Sequence, residues 1–237
     1  MKNTLQNWES KFDNKLNLSE NDYKSILPLI EKDEKNFKKY ISVDIPRTLS
    51  EEFTSKNPDF AKNFEEVLMV FCYSNNIGYI SGISFIAKMI LALTNDKVKT
   101  FILLRNIFEN NHIKDIYANK IDNICNLFED NFKKKIPELY EHFKGNNVDY
   151  KMYIISWLKT LFCFDFNDKI CEILFKIFII KNDFEVYINA ILAVLTIYKK
   201  ELLSKKGYEL LSYILSLKNV EFEQFKERIK EFYDIDI

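Results

Sequence analysis

The chain is poor in the residues that make tight turns. Its 237 residues include only four glycines and four prolines, well below the roughly 7% and 5% of average usage. Repeated hairpins need such residues at their turns, so a β-sandwich or barrel is excluded. The glycines are Gly78, Gly82, Gly145 and Gly207, a spacing that allows neither a GxGxxG fingerprint nor a GxxxxGK[ST] phosphate loop. Two histidines, His112 and His142, exclude an HExxH helix and a three-His metal site. Cys72, Cys125, Cys163 and Cys171 show no CxxC spacing and sit in apolar segments. That is the pattern of reduced core thiols, and no metal centre is expected.

Charge of one sign is also missing. Lys plus Arg number 34 against 35 for Asp plus Glu, so no net positive field draws nucleic acid, and no such partner is expected. The run Lys133 to Lys135 is short and reads as a solvated helix face. The opening MKNTLQNWESKF lacks the apolar core of a signal peptide. The longest apolar stretches, such as Tyr187–Tyr198, cover twelve residues, too few for a bilayer core of about 30 Å. The expectation is a soluble cytoplasmic protein with no transmembrane segment.

What the chain does have is apolar area: 47% hydrophobic residues, with 21 Phe and 13 Tyr. A chain of this length buries about 70% or more of its unfolded surface, as one large domain or two small ones. The pattern is helical. Phe60, Phe64, Val67, Leu68 and Phe71 form one stripe, on a helix that starts near Asn57-Pro58. Further helices are expected over about 98–109, 113–134, 150–163, 168–180, 184–199, 207–217 and 219–233, with N-caps at Asn167-Asp168, Asn182-Asp183 and Asn219. Segments such as 173–180 are apolar nearly all round and belong inside a multi-layer bundle. The Gly-bearing stretch His142 to Asp149 is the expected boundary between two helical halves.

Two short stretches stand out. There are 31 lysines but only three arginines, Arg47, Arg105 and Arg228. A guanidinium offers a planar fork of donors suited to phosphate and carboxylate oxygens, which an ammonium does not. Arg47 lies three residues after Asp44, on one face if the segment is helical. Pro46 suits a first turn, which would put the pair at an exposed helix start. The pair by itself also reads as an ordinary surface ion pair, contributing about 0–1 kcal/mol. The second stretch runs from Asn75 to Phe85 and holds Gly78 and Gly82. It reads either as a tight turn between packed helices or as a place where another backbone approaches closely.

The order of these stretches, IxxDxxR and then, after an amphipathic helix, GYxxG leading into a buried helix, resembles the TBC domain family. Ile41, Asp44, Arg47 and Thr48 match the first motif. Gly78, Tyr79 and Gly82 match the second, GYxQGM, in which Ser81 replaces the family's glutamine and Ile83 its methionine. Downstream, Leu139 to His142 and Tyr153 to Phe162 with Trp157 look like the third block. The later Arg-x-x-Asp element is missing, with Glu172 and Phe175 at its positions, and the opening Arg-and-Trp element is not evident. Ile188 to Leu195 resembles the closing apolar helix, so the likeness runs from about Tyr23 to Tyr198.

The resemblance implies an all-α, multi-helix fold of two packed halves, about 1–142 and 149–237, forming one domain. It implies a Rab-type small GTPase as partner and a part in vesicle trafficking, with any membrane association coming through that partner. Arg47 would be an arginine finger supplied in trans, Asp44 its orienting carboxylate, and Ser81 a weakened replacement for the glutamine finger. Ile41, Thr48, Gly78, Tyr79 and Gly82 would contribute to GTPase binding. No cofactor is implied, because nucleotide and magnesium belong to the GTPase. Three readings stay open: an activator acting through Arg47, a TBC-like scaffold that holds a GTP-loaded Rab without accelerating it, and a helical adaptor unrelated to GTPases.

Overall fold

A computed structural model describes residues 5–75, 78–118 and 120–233. Among them are a 3-10 helix at Leu5–Lys11 and fifteen α-helices, and no strand. The described residues fall into two compact units, one spanning Asp13–Tyr117 and the other lying within Met1–Phe12 and Ala118–Ile237.

The Asp13–Tyr117 unit holds α1 (Glu20–Lys32), α2 (Phe37–Thr48), α3 (Glu51–Lys56), α4 (Pro58–Ser74), α5 (Ile83–Thr94), α6 (Lys97–Ile107) and α7 (Asn111–Tyr117). Helix α4 begins where the Asn57-Pro58 signal places it, and its apolar stripe makes it central: α1, α2, α3, α5 and α6 all pack on it. Tyr23, Val70 and Phe101 form one core cluster there, ringed by Leu18, Ile26 and Ile30. Each fully buried side chain of this size contributes roughly 1.5–3 kcal/mol.

Helix α2 is held along its length. At its start the Asp33 carboxylate accepts from the backbone N–H groups of Phe37 (2.9 Å) and Lys38 (3.1 Å) and from the Tyr73 hydroxyl of α4 (2.9 Å). Phe37 also packs edge-on against Tyr73, with ring centroids 5.0 Å apart. The inner face of α2 carries Ile41 and Asp44, both buried. Pro46 sits in the last turn, not the first. It can supply no N–H to the preceding turn, and the helix ends two residues later, where extended Leu49 still donates to the Ile45 carbonyl at 2.8 Å.

The other unit holds α8 (Asp122–Lys135), α9 (Pro137–Gly145), α10 (Lys151–Lys159), α11 (Asp168–Lys181), α12 (Glu185–Ile197), α13 (Lys199–Ser204), α14 (Gly207–Leu215) and α15 (Phe222–Lys230). Every residue of α12 from Val186 to Leu195 is buried, as its all-round apolar pattern requires. The N-terminal 3-10 helix belongs to this unit because Trp8 packs edge-on against Phe175 of α11. The 142–149 stretch lies inside this unit, as the last turn of α9 and the turn that follows it. Asn146 Oδ1 accepts from the Gly207 N–H at 3.1 Å, and His142 Nε2 lies 2.8 Å from the Lys205 carbonyl. Those bonds tie it to α13 and α14.

Four expected helices differ in detail; the one expected from an N-cap at Asn219 starts at Phe222, with Glu221 at the N-cap position. The stretch 113–134 is two helices, α7 and α8, because the chain passes between the two units at Tyr117–Ala118. The helix expected over 150–163 stops at Lys159, since Leu161 and Phe162 turn into the left-handed region. Asn182 ends α11 in that same region instead of starting α12, and Asp183 Oδ1 accepts from the Glu185 N–H at 2.9 Å.

Candidate functional site

The site forms where the end of α2 meets the turn before α5. Asn75 prepares that turn: its side chain donates to the Phe71 carbonyl at 2.6 Å and accepts from the Gly78 N–H at 2.7 Å. Gly78 has φ +77°, and a Cβ there would meet the Phe37 ring at 3.3 Å. Glycine is thus required both by backbone conformation and by the close approach of α2. Gly82, with φ +95°, lets the chain turn into α5. Asn76 and Ile77, part of the same stretch, lie outside the described residues.

Asp44 is the centre of the arrangement. Its side chain is 10% exposed, whereas that of Arg47 is 68% exposed. One carboxylate oxygen pairs with Arg47 Nη1 at 3.3 Å. The other accepts a hydrogen bond from the Tyr79 hydroxyl. Burial, and then that bond to Asp44, push the Tyr79 phenol well above its ordinary range, so Tyr79 remains a donor at working pH. The Thr48 hydroxyl lies 2.9 Å from both the Asp44 carbonyl and the Ser84 hydroxyl. Arginine and anchor are therefore joined through Asp44, with the guanidinium facing solvent and the carboxylate facing the protein.

The structure brings Asp44, Arg47, Thr48 and Tyr79 into one connected group, and Ser81 is exposed in the adjoining turn. It does not bring Ile41 to the surface. Ile41 is fully buried, one helical turn before Asp44 on the inner face of α2, so it holds the helix in place and has no surface to offer a partner. Gly82 is likewise buried and acts through its backbone. The pair stands at the end of α2 and not at a helix start, for the reason Pro46 gives above. Two participants were not read from the sequence. Ser84 is fully buried against Thr48, and Tyr40 stacks on Tyr79 with centroids 6.4 Å apart. The spacing Ile41, Asp44, Thr48 marks the inner face of a helix, and that signal would have placed Asp44 inward.

The downstream elements are structural. Trp157 packs among Tyr153, Phe162 and Phe166. Glu172 pairs with Lys176 within α11, while Phe175 is buried against Trp8. Among the described residues no group of His, Cys, Asp or Glu is placed to hold a metal ion, and no helix is long and apolar enough to cross a membrane.

The sequence matches the Rab-GTPase-TBC domain family over residues 2–203. The chain belongs to that family. Among curated relatives, TBC1 domain family member 14 of Homo sapiens is 34% identical over 96 residues, covering 38% of this chain and 13% of that protein. The Rab GTPase-activating protein eat-17 of Caenorhabditis elegans is 28% identical over 131 residues, covering 53% of this chain and 15% of that protein. The chain therefore matches only a small part of these relatives' length. The TBC fold is shared with the crystal structure of the Chlamydomonas flagellar RabGAP TBC domain, at TM-score 0.79 and 20% identity over 97% of this chain and 77% of that one. The Ypt/Rab-GAP domain of Gyp1p gives 0.73 and 14%, over 96% and 79%.

Proposed function

We propose that this TBC domain binds a GTP-loaded Rab-type GTPase and accelerates its hydrolysis by inserting Arg47. The observation that carries the reading is the contrast within one ion pair: an exposed guanidinium on a buried, doubly held carboxylate. The transition state of GTP hydrolysis spreads negative charge over the transferring and leaving oxygens. A fork of donors already oriented meets that charge at little cost in lost side-chain freedom. Asp44 serves as the orienting partner. Nucleotide and magnesium come with the GTPase, so this chain needs no cofactor of its own.

Ser81 supports a second reading. A serine hydroxyl ends two bonds short of a glutamine amide and cannot bridge an attacking water and a backbone group together. The GTPase then uses its own glutamine, or the domain binds without accelerating. Single-turnover hydrolysis across a panel of GTP-loaded Rab-type GTPases separates the two. With the finger engaged, Arg47→Ala loses about 10³–10⁵ in the accelerated rate, equivalent to roughly 4–7 kcal/mol. Arg47→Lys loses most of it, because an ammonium lacks the planar fork, and Ser81→Gln raises the rate. Equal rates for wild type and Arg47→Ala, with binding intact in both, select the scaffold.

A further inference from the structure

Among its described residues the Asp13–Tyr117 unit leaves three large apolar side chains exposed, Leu29, Tyr40 and Val43. Two of them share a helix face with Arg47. Tyr40, Val43 and Arg47 are spaced i, i+3 and i+7 on α2, which puts them on one stripe. Tyr40 is 56% exposed and Val43 54%. At roughly 1.5 Å per residue, Val43 stands about 6 Å and Tyr40 about 10 Å before Arg47 along the helix axis. The Tyr40 ring is already placed, stacked on the Tyr79 ring with centroids 6.4 Å apart and planes 13° apart. Tyr79 in turn is held by Asp44. A tyrosine fixed in this way loses little side-chain freedom when a partner covers it, and tyrosines are frequent among the residues that dominate interfaces.

A guanidinium that enters a nucleotide cleft brings the rim of that cleft over the helix face that carries it. Val43 and Tyr40 are then covered by whatever forms the rim. An apolar rim gains by removing both side chains from water. A charged rim would lose its hydration there without compensation, because the stripe carries no charge between Tyr40 and Arg47. We propose that Tyr40 and Val43 form an apolar platform that seats the GTP-loaded GTPase, taking an apolar patch on the rim of its nucleotide cleft while Arg47 enters the cleft. The platform rests on the reading that this domain binds a GTPase, and it serves the activator and the scaffold alike.

Binding of the full chain to a panel of Rab-type GTPases, each loaded with a non-hydrolysable GTP analogue, tests the platform. Val43→Ser removes no hydrogen bond of Asp44 and should weaken binding about five- to tenfold, the loss expected of an interface residue that matters. Tyr40→Ala should weaken it by about tenfold or more, whereas Tyr40→Phe keeps the ring and should bind nearly as wild type does. With a GTPase that wild type activates, Val43→Ser should raise the half-saturating concentration and hold the saturating rate, the split that marks lost docking. Leu29→Ser, on α1, should match wild type throughout. Wild-type binding by both Val43→Ser and Tyr40→Ala, or an equal loss from Leu29→Ser, overturns the platform and leaves GTPase binding in place. Sedimentation of the free protein as a dimer that Val43→Ser abolishes would give this face to a second copy of the chain and overturn the proposal as well. A wild type that binds no GTPase of the panel defeats the platform and the proposed function together.

Discussion

Buried or half-buried phenols occur in both units, and Tyr79 is treated in the opposite way to Tyr153 and Tyr187. In the Asp13–Tyr117 unit, half-buried Tyr79 donates to Asp44. In the other unit, Tyr153 and Tyr187 are fully buried and their hydroxyls have no hydrogen-bond partner. Tyr153 sits among Phe128, Phe143 and Trp157, and Tyr187 among Phe162, Phe178 and Phe184. Burial pushes both phenols well above their ordinary range. These two tyrosines fill space as aromatic rings do, and their oxygens are a tolerated cost. Tyr79 is kept for its oxygen. A buried hydroxyl therefore points to function only when its bonds lead to something at the surface, as those of Tyr79 lead to Arg47.

The comparison can be broken by removing one oxygen from each place. Tyr79→Phe leaves an oxygen of buried Asp44 without its donor and should destabilise the protein by about 1–3 kcal/mol. It should also slow accelerated hydrolysis, since Asp44 is then held on one side only. Tyr187→Phe and Tyr153→Phe remove no bond, so each should leave stability unchanged or raise it by up to about 1 kcal/mol. Urea midpoints at constant slope measure all three. A Tyr187→Phe variant that loses as much stability as Tyr79→Phe would erase the distinction.

Most of the helical architecture was legible in the sequence, and the reason is periodicity. The stripe Phe60 to Phe71 and the Asn57-Pro58 signal placed the start of α4, because an N-cap and a first-turn proline act locally. Asn167 was read as an N-cap and is one, its side chain accepting from the Ile170 N–H at 3.1 Å. Local signals failed where two meanings share a residue type. Asn182 looked like an N-cap, but asparagine also tolerates the left-handed conformation that ends a helix, and α11 used it so. Pro46 looked like a helix start for the same kind of reason. The N-terminal 3-10 helix joins the unit of α11 through Trp8 and Phe175, a pairing across more than half of the chain that no local pattern announces.

The site was legible in part. Spacing brought Asp44 next to Arg47, and the glycines located the turn. Burial was not readable: Ile41 and Asp44 turn inward because α2 extends back to Phe37, which a helix starting at Pro46 would not allow. Ser84 carries no signal at all in one sequence. Its contact with Thr48 exists only once α2 and α5 are packed.

The smallest effect concerns a polar link that stabilises the Asp13–Tyr117 unit without leading to Arg47. Glu66 of α4 accepts from the Tyr23 hydroxyl and from Lys97 Nζ, each at 2.8 Å. Burial alone would push its carboxyl up, but the bonds from Lys97 and Tyr23, with the charges of Lys97 and Lys62, hold it below the ordinary range. A group whose folded value is depressed adds stability above its unfolded value, near 4.3 for glutamate, and loses it as pH falls through the folded value. Glu66→Gln keeps an acceptor for Tyr23 and removes the charge facing Lys97. At pH 7 it should cost about 0.5–1 kcal/mol, the range of a partly screened ion pair, with hydrolysis unaffected. The gap between variant and wild type should narrow as pH falls from the unfolded value through the lowered folded one, because both then come to carry a neutral side chain. Urea denaturation at pH 7 and pH 3 measures it. A gap of the same size at both values would mean that the amide disturbs packing around Tyr23, and that Glu66 does not act through its charge.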